Sequence, residues 1–212
     1  ASLEFWEVCE TSTLGEIYNF LYNGEADKLV AEALESDEGS LLSSLLVREY
    51  PFKDGEGKIQ SAPVGGYIVA AADKDNMAKI NEYLALDGVK AMIASDVKLA
   101  WSNKNSLDGT RGGIFTLYAL QGNGGLVPAM DGSGIVEASA NSGQFGGFEV
   151  SMTMNSVAAA EWGNLTEKNI GKPLAIVMDN VVYSAPNVND RIDGGRSSIT
   201  GGFSAQEAED LA

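Results

Sequence analysis

FEVSMTMNSVAAAEWGNLTEKNIGKPLAIVMDNVVYSAP, residues 148–186, changes its period three times in one run. Phe148, Val150, Met152 and Met154 alternate with Glu149, Ser151 and Thr153, which predicts a strand with one buried face. Asn155 then stands where a helix N-cap belongs. Ala158, Trp162 and Leu165 share one face of the predicted helix that follows, and Gly171 sits where a C-terminal glycine is favoured. PLAIVMD and VVYSA form two apolar runs around Asp179-Asn180, residues tolerant of positive φ, so they predict a hairpin. Strand, helix and hairpin in close succession predict an α+β domain: a mixed or largely antiparallel sheet with helices packed on it.

Working outward, LEFWEVCE at the amino end has strand character. Thr11 to Tyr22 turns to helical spacing through Leu14, Ile17, Tyr18 and Leu21, with Ser12 or Thr13 as N-cap and Glu16 following. Asp27 to Leu34 predicts a second helix. From Ser36 to Pro63, acidic residues, glycines and Pro51 predict loops around the short apolar piece SLLSSLLV. GYIVAAA predicts a strand, DKDNMAKINEYLAL a helix capped by Asp73 or Asp75, VKAMIASDVKLAWS one or two strands, and Asn103 to Gly113 a polar loop. IFTLYALQG is a further strand, GNGGLVPAMDGSG a long connection, and IVEASANSG a partner for FEVSMTMN across a GQFGG turn. A last helix begins at Ser204, with Glu207 completing a capping box.

The composition narrows the chemistry. Among 212 residues, 30 acidic against 14 basic side chains give a formal charge of -16. Such a chain repels phosphates and anionic lipid, so nucleic acid is not an expected partner. The first 60 residues hold 13 acidic and 4 basic residues, read as a solvated face. There is no histidine, which removes imidazole acid-base chemistry, Ser-His-Asp and Cys-His pairs. The single cysteine, Cys9, has no internal disulfide partner and reads as a small buried hydrophobe. No run approaches the ~20 apolar residues of a membrane helix, and the amino end lacks a signal-type pattern. The first residue is Ala1 rather than Met, as expected of a piece cut from a longer protein.

Candidate sites fail one by one. GNGG, GSG and GTRGG lack both the Lys-Ser/Thr ending of a P-loop and a G-x-G-x-x-G run, so they read as turns. Asp73-Lys74-Asp75 opens like a calcium loop, but Met77 occupies the next ligand position and the bend glycine is missing. Trp6, Trp101 and Trp162 fit core packing better than a sugar or peptide groove. Asn164-Leu165-Thr166 matches a glycosylation sequon but lies inside a predicted helix. In residues 171–203, Asp179 as a base and Arg196 as an anion clamp would make a site, yet no nucleophile, phosphate loop or metal cluster accompanies them. No catalytic, metal or cofactor-binding residue is proposed, and no cofactor is expected.

At this point the ordered pieces resemble a known family. Thr166 to Lys172, Ala175 to Asp179, Ser184 to Pro186, Gly194 to Arg196, Ile199 to Gly201, Phe203 and Glu207 to Ala212 are similar to the first large periplasmic (head) domain of SecD and fused SecDF protein-translocase subunits. LEFWEV, FTLYAL and the I-V-E-A segment fit the same pattern, so the likeness covers about half the chain, mainly after residue 110. The resemblance implies a head domain over 1–212, with 10–110 as a lineage-specific elaboration or lobe. It also implies an inner-membrane protein whose head faces the periplasm and captures and releases unfolded preprotein beside the SecYEG channel. Coupling to the proton gradient would rest with membrane parts absent here, and no enzyme activity is implied. Two rivals make different predictions. A periplasmic peptide- or sugar-binding module needs a pocket of converging aromatic and polar groups, and an acid-pair hydrolase needs two carboxylates facing each other across a cleft.

Overall fold

The computed structural model describes residues 3–103, 105–107, 113–142 and 148–203. Along the chain run β1 (Leu3–Val8), α1 (Thr11–Tyr22), α2 (Glu25–Leu34), a 3-10 turn at Ser43–Leu45, β2 (Glu49–Lys53), β3 (Ile59–Pro63), β4 (Ile68–Asp73), α3 (Lys74–Leu84) and the single turn α4 (Asp87–Lys90). There follow β5 (Val97–Trp101), β6 (Ile114–Gln121), β7 (Met130–Asp131), β8 (Ile135–Ser142), β9 (Phe148–Met154), α5 (Ser156–Lys168), β10 (Leu174–Met178), β11 (Val181–Ser184) and β12 (Arg196–Phe203). These residues form two compact units, Ala1–Val8 with Gln121–Ala212, and Cys9–Leu120. The predicted GQFGG turn, the helix from Ser204 and most of the GTRGG stretch lie outside the described residues.

In the first unit β1 pairs antiparallel with both β10 and β7, and β10 with β11. A separate antiparallel sheet runs β12-β9-β8. Alternation sends Leu3 and Phe5 of β1, Leu174, Ile176 and Met178 of β10, and Val150, Met152 and Met154 of β9 into one core, closed by Ala158 and Trp162 of α5. The α+β reading with antiparallel sheets therefore holds. Asn155 caps α5 as its sequence position predicts, accepting a hydrogen bond from the Ala158 amide at 2.9 Å. The β10–β11 turn has Asp179 at φ 52° and Asn180 at φ 65°, the two positive values that a two-residue hairpin turn of the primed type requires. Gly171 adopts φ +82°, although the residue capping α5 is Asn169.

In the Cys9–Leu120 unit β4 pairs antiparallel with β6, and β5 also pairs with β6. Asp73 caps α3 through the Asp75 amide at 2.9 Å, so the aspartates read against a calcium loop are helix-terminal residues. Several expectations are corrected here. The N-cap of α1 is Glu10, without a side-chain cap bond, rather than Ser12 or Thr13, and α2 begins at Glu25. The stretch read as one or two strands holds one, β5, with VKAMI entering the α4 turn and the chain after it.

The stretch from 36 to 63 is not all loop: β2 and β3 form an antiparallel hairpin. Its strands are largely exposed and β2 contains Pro51, so no buried alternation marks them in the sequence. Asp54 closes the hairpin by accepting from the Glu56 and Lys58 amides, both at 2.9 Å. One acid of the amino-terminal cluster is not solvated: Asp27, 3% exposed, accepts from the Leu42 and Ser43 amides and the Ser43 hydroxyl at 2.9, 2.8 and 2.6 Å. It pins the 3-10 turn to α2 because a buried carboxylate must find donors.

Cys9 is buried, as its strand-end setting predicts. Burial first, and then the Asp96 carboxylate, pushes its thiol up to about 11. Only the thiolate attacks, so 5,5′-dithiobis(2-nitrobenzoate) at pH 8 is expected to label the native chain at least ~100-fold more slowly than the unfolded one. Equal rates would contradict the burial. As pH climbs above ~8.5 the unfolded chain releases this proton while the native chain retains it, so stability falls with rising pH over that window.

Candidate functional site

The carboxyl-terminal half builds a groove of about 290 Å³ inside the first unit. Trp162 and Thr166 of α5 and Leu174 and Ile176 of β10 supply its floor. One wall is the chain from Pro186 to Asp190 with Ile192, and the other is Ser197, Ser198 and Ile199 of β12. Three main-chain hydrogen bonds fix the first wall: the Gly171 amide to the Val188 carbonyl at 2.7 Å, Val188 to Lys172 at 2.9 Å, and Leu174 to Pro186 at 3.1 Å. Thr166 ties the same wall to the helix. Its hydroxyl donates to the Trp162 carbonyl at 2.8 Å and accepts from the Ile192 amide at 2.9 Å.

Outside this wall Arg191 lies across α5. Its guanidinium meets Asp193 at 2.8 Å, Asn164 at 3.3 Å, and the Glu167 carboxylate. The bonds to Asp193 and then Glu167 hold it protonated even more firmly than an ordinary arginine. Gly163 leaves room for the crossing: a Cβ there would stand 2.9 Å from Arg191 Nη2 and 3.0 Å from Asp193 Oδ1. The second wall is an edge strand. Within its sheet β12 pairs with β9 alone, leaving its other side without a strand among the described residues.

The groove is therefore apolar below, amide- and hydroxyl-lined above, and bordered by a strand edge. Such a surface suits an extended chain, which offers main-chain groups to the edge and side chains to the floor. Asp190 is the one carboxylate among the lining residues, so the facing pair that an acid-pair hydrolase needs is not assembled there. Asp179 and Arg196, weighed as base and anion clamp, are both exposed, Asp179 in the hairpin turn and Arg196 at the start of β12. All three tryptophans are core residues, with Trp6, Trp101 and Trp162 exposed by 1%, 8% and 6%. The Trp162 indole N–H is itself buried and has no hydrogen-bond partner among the described residues. Asn164 of the sequon is engaged by Arg191 on α5. The folding back of Pro186–Ile192 is what sequence reading missed. Its signals were the proline after β11 and Thr166 inside the helix, a hydroxyl that an incoming amide can use.

Among the described residues, no helix is long and apolar enough to cross a membrane. The sequence model of the SecDF P1 head subdomain matches residues 120–212. A protein translocase subunit SecD from Rhodothermus marinus is 41% identical over 150 residues, covering 70% of this chain and 24% of that protein. SecD from Leptotrichia buccalis is 31% identical over 163 residues, 74% of this chain and 35% of that protein. The chain thus spans about a quarter to a third of the length of these relatives. A solved structure of the membrane component SecDF, described as enhancing protein export, superposes over 99% of this chain and 90% of that one, at 20% identity and a TM-score of 0.39. Residues 120–212, which contain every residue lining the groove, match the SecDF P1 head subdomain.

Proposed function

We propose that this chain is the periplasmic head of a SecD-type translocase subunit and that its groove holds and releases extended segments of unfolded preprotein. The observation that carries the reading is the apolar groove beside the edge of β12, with which no strand pairs among the described residues. Edge pairing supplies sequence-independent affinity, and a floor of Leu174, Ile176 and Trp162 favours apolar side chains without selecting one sequence. Retention is brief, as export needs, because a groove of this size buries only a few residues at a time. The head works beside the SecYEG channel at the inner membrane, and movement of protons belongs to membrane segments of the longer protein. It acts by binding rather than by chemistry, as a non-enzymatic module. Residues 10–110 read as a lineage-specific lobe, a view supported by the compactness of Cys9–Leu120.

Photo-crosslinking in the full-length membrane protein tests the proposal. With a stalled preprotein, a photoreactive residue at Asn187 or Ser198 is expected to give adducts, and one at exposed Glu161 on α5 is not. Absence of adducts at both groove positions, while positions in the channel react, would sink the capture reading.

A further inference from the structure

A second groove, of about 300 Å³, lies wholly within the Cys9–Leu120 unit. Ile17 and Phe20 of α1 and Val97 at the start of β5, each nine-tenths or more buried, line its floor, and Met92 stands beside them 57% exposed. Glu16 and Glu25 are exposed carboxylates on its rim. No lysine or arginine is among its lining residues.

We infer that this groove docks an unfolded peptide segment in which a bulky apolar side chain lies beside lysine or arginine. The apolar floor removes a large side chain from water, and the volume suits one or two such side chains rather than a whole helix. Met92 is unbranched and polarizable, so it adapts to side chains of different shape. The two carboxylates choose what flanks them: a neighbouring cation gains from both, and an acidic neighbour is repelled. A second copy of the chain is a poor occupant, since each carries a formal charge of -16, and anionic lipid is disfavoured by the same sign. The site lies outside the groove assigned above to preprotein and gives the lobe a selectivity of its own, for basic-apolar segments.

The test uses the 212-residue chain and two short fluorescein-labelled peptides, each with a Leu-Phe pair, one flanked by lysines and the other by glutamates. Fluorescence anisotropy is expected to show the lysine peptide binding at least ~10-fold more tightly. Glu16→Gln with Glu25→Gln is expected to weaken it about five- to tenfold and to flatten its salt dependence. Met92→Ser is expected to weaken binding as well, while Glu161→Gln, a loss of charge at an exposed position lining neither groove, leaves it unchanged. Both rim positions and Met92 are exposed, and circular dichroism checks that the variants fold. Equal affinity for the two peptides, or an unchanged affinity in the double glutamine variant, overturns the inference. So does a dimer in sedimentation that Met92→Ser dissolves, because the groove would then belong to a second copy.

Discussion

Trp162→Ala is expected to lower the unfolding free energy of the unit formed by Ala1–Val8 and Gln121–Ala212 by about 3–5 kcal/mol. The ring is 6% exposed in the core between α5 and the two sheets. It packs on Phe5 with centroids 4.7 Å apart and planes tilted by 53°. Truncation leaves a cavity walled by β1 and β10, which the hydrogen-bonded strands are poorly placed to fill. Trp162→Phe separates packing from polarity. The indole N–H makes no hydrogen bond among the described residues, so its removal forfeits none, and the cost is expected to stay below ~1.5 kcal/mol. Urea unfolding followed by far-ultraviolet circular dichroism reads both. An alanine variant as stable as the parent would contradict the packing.

The second large effect is expected at Gly134, between β7 and β8. A Cβ there would stand 2.3 Å from the Ala158 Cβ and 3.4 Å from Asn155 Oδ1. The Asn155 amide also donates to the Gly134 carbonyl at 2.9 Å. Gly134→Ala therefore pushes the first turn of α5 away from its own cap, at a cost of about 1–3 kcal/mol. Ala158→Gly removes the opposing methyl, so adding it to Gly134→Ala is expected to recover part of the loss despite its own helix-propensity penalty. A double-mutant cycle by urea unfolding should give a coupling of order 1 kcal/mol. Strict additivity would show that the two positions do not press on each other.

What the sequence discloses and what it conceals differ in range. Asn155 and Asp73 announce helix starts, and Asp179-Asn180 announces a hairpin, because each acts on main-chain groups within a few residues. The β9 alternation is equally local, since a buried face repeats every second residue. The β2–β3 ribbon stayed hidden because its side chains are mostly exposed and carry no such period. Glu10 escaped notice because it caps α1 without a side-chain bond. The groove was the least legible part. Its wall depends on Val188 meeting Gly171 and Lys172, and on Ile192 meeting Thr166 twenty-six residues away. Its open side depends on which strand ends the sheet, which no local pattern states. The family resemblance located the region without locating the surface.

The short contact at the base of the Cys9–Leu120 unit bears on the order of assembly. The Cys9 amide donates to the Ala119 carbonyl at 3.1 Å, so the two ends of this unit are held together. β1 must wait for its partner β10, made much later in synthesis. If the intervening unit has already folded, its clasped ends turn a long flexible connection into a short one. Each halving of the effective loop saves about 0.6 kcal/mol of closure entropy. Folding of the Cys9–Leu120 unit thereby shortens the path along the chain from β1 to the strands β7 and β10 that pair with it.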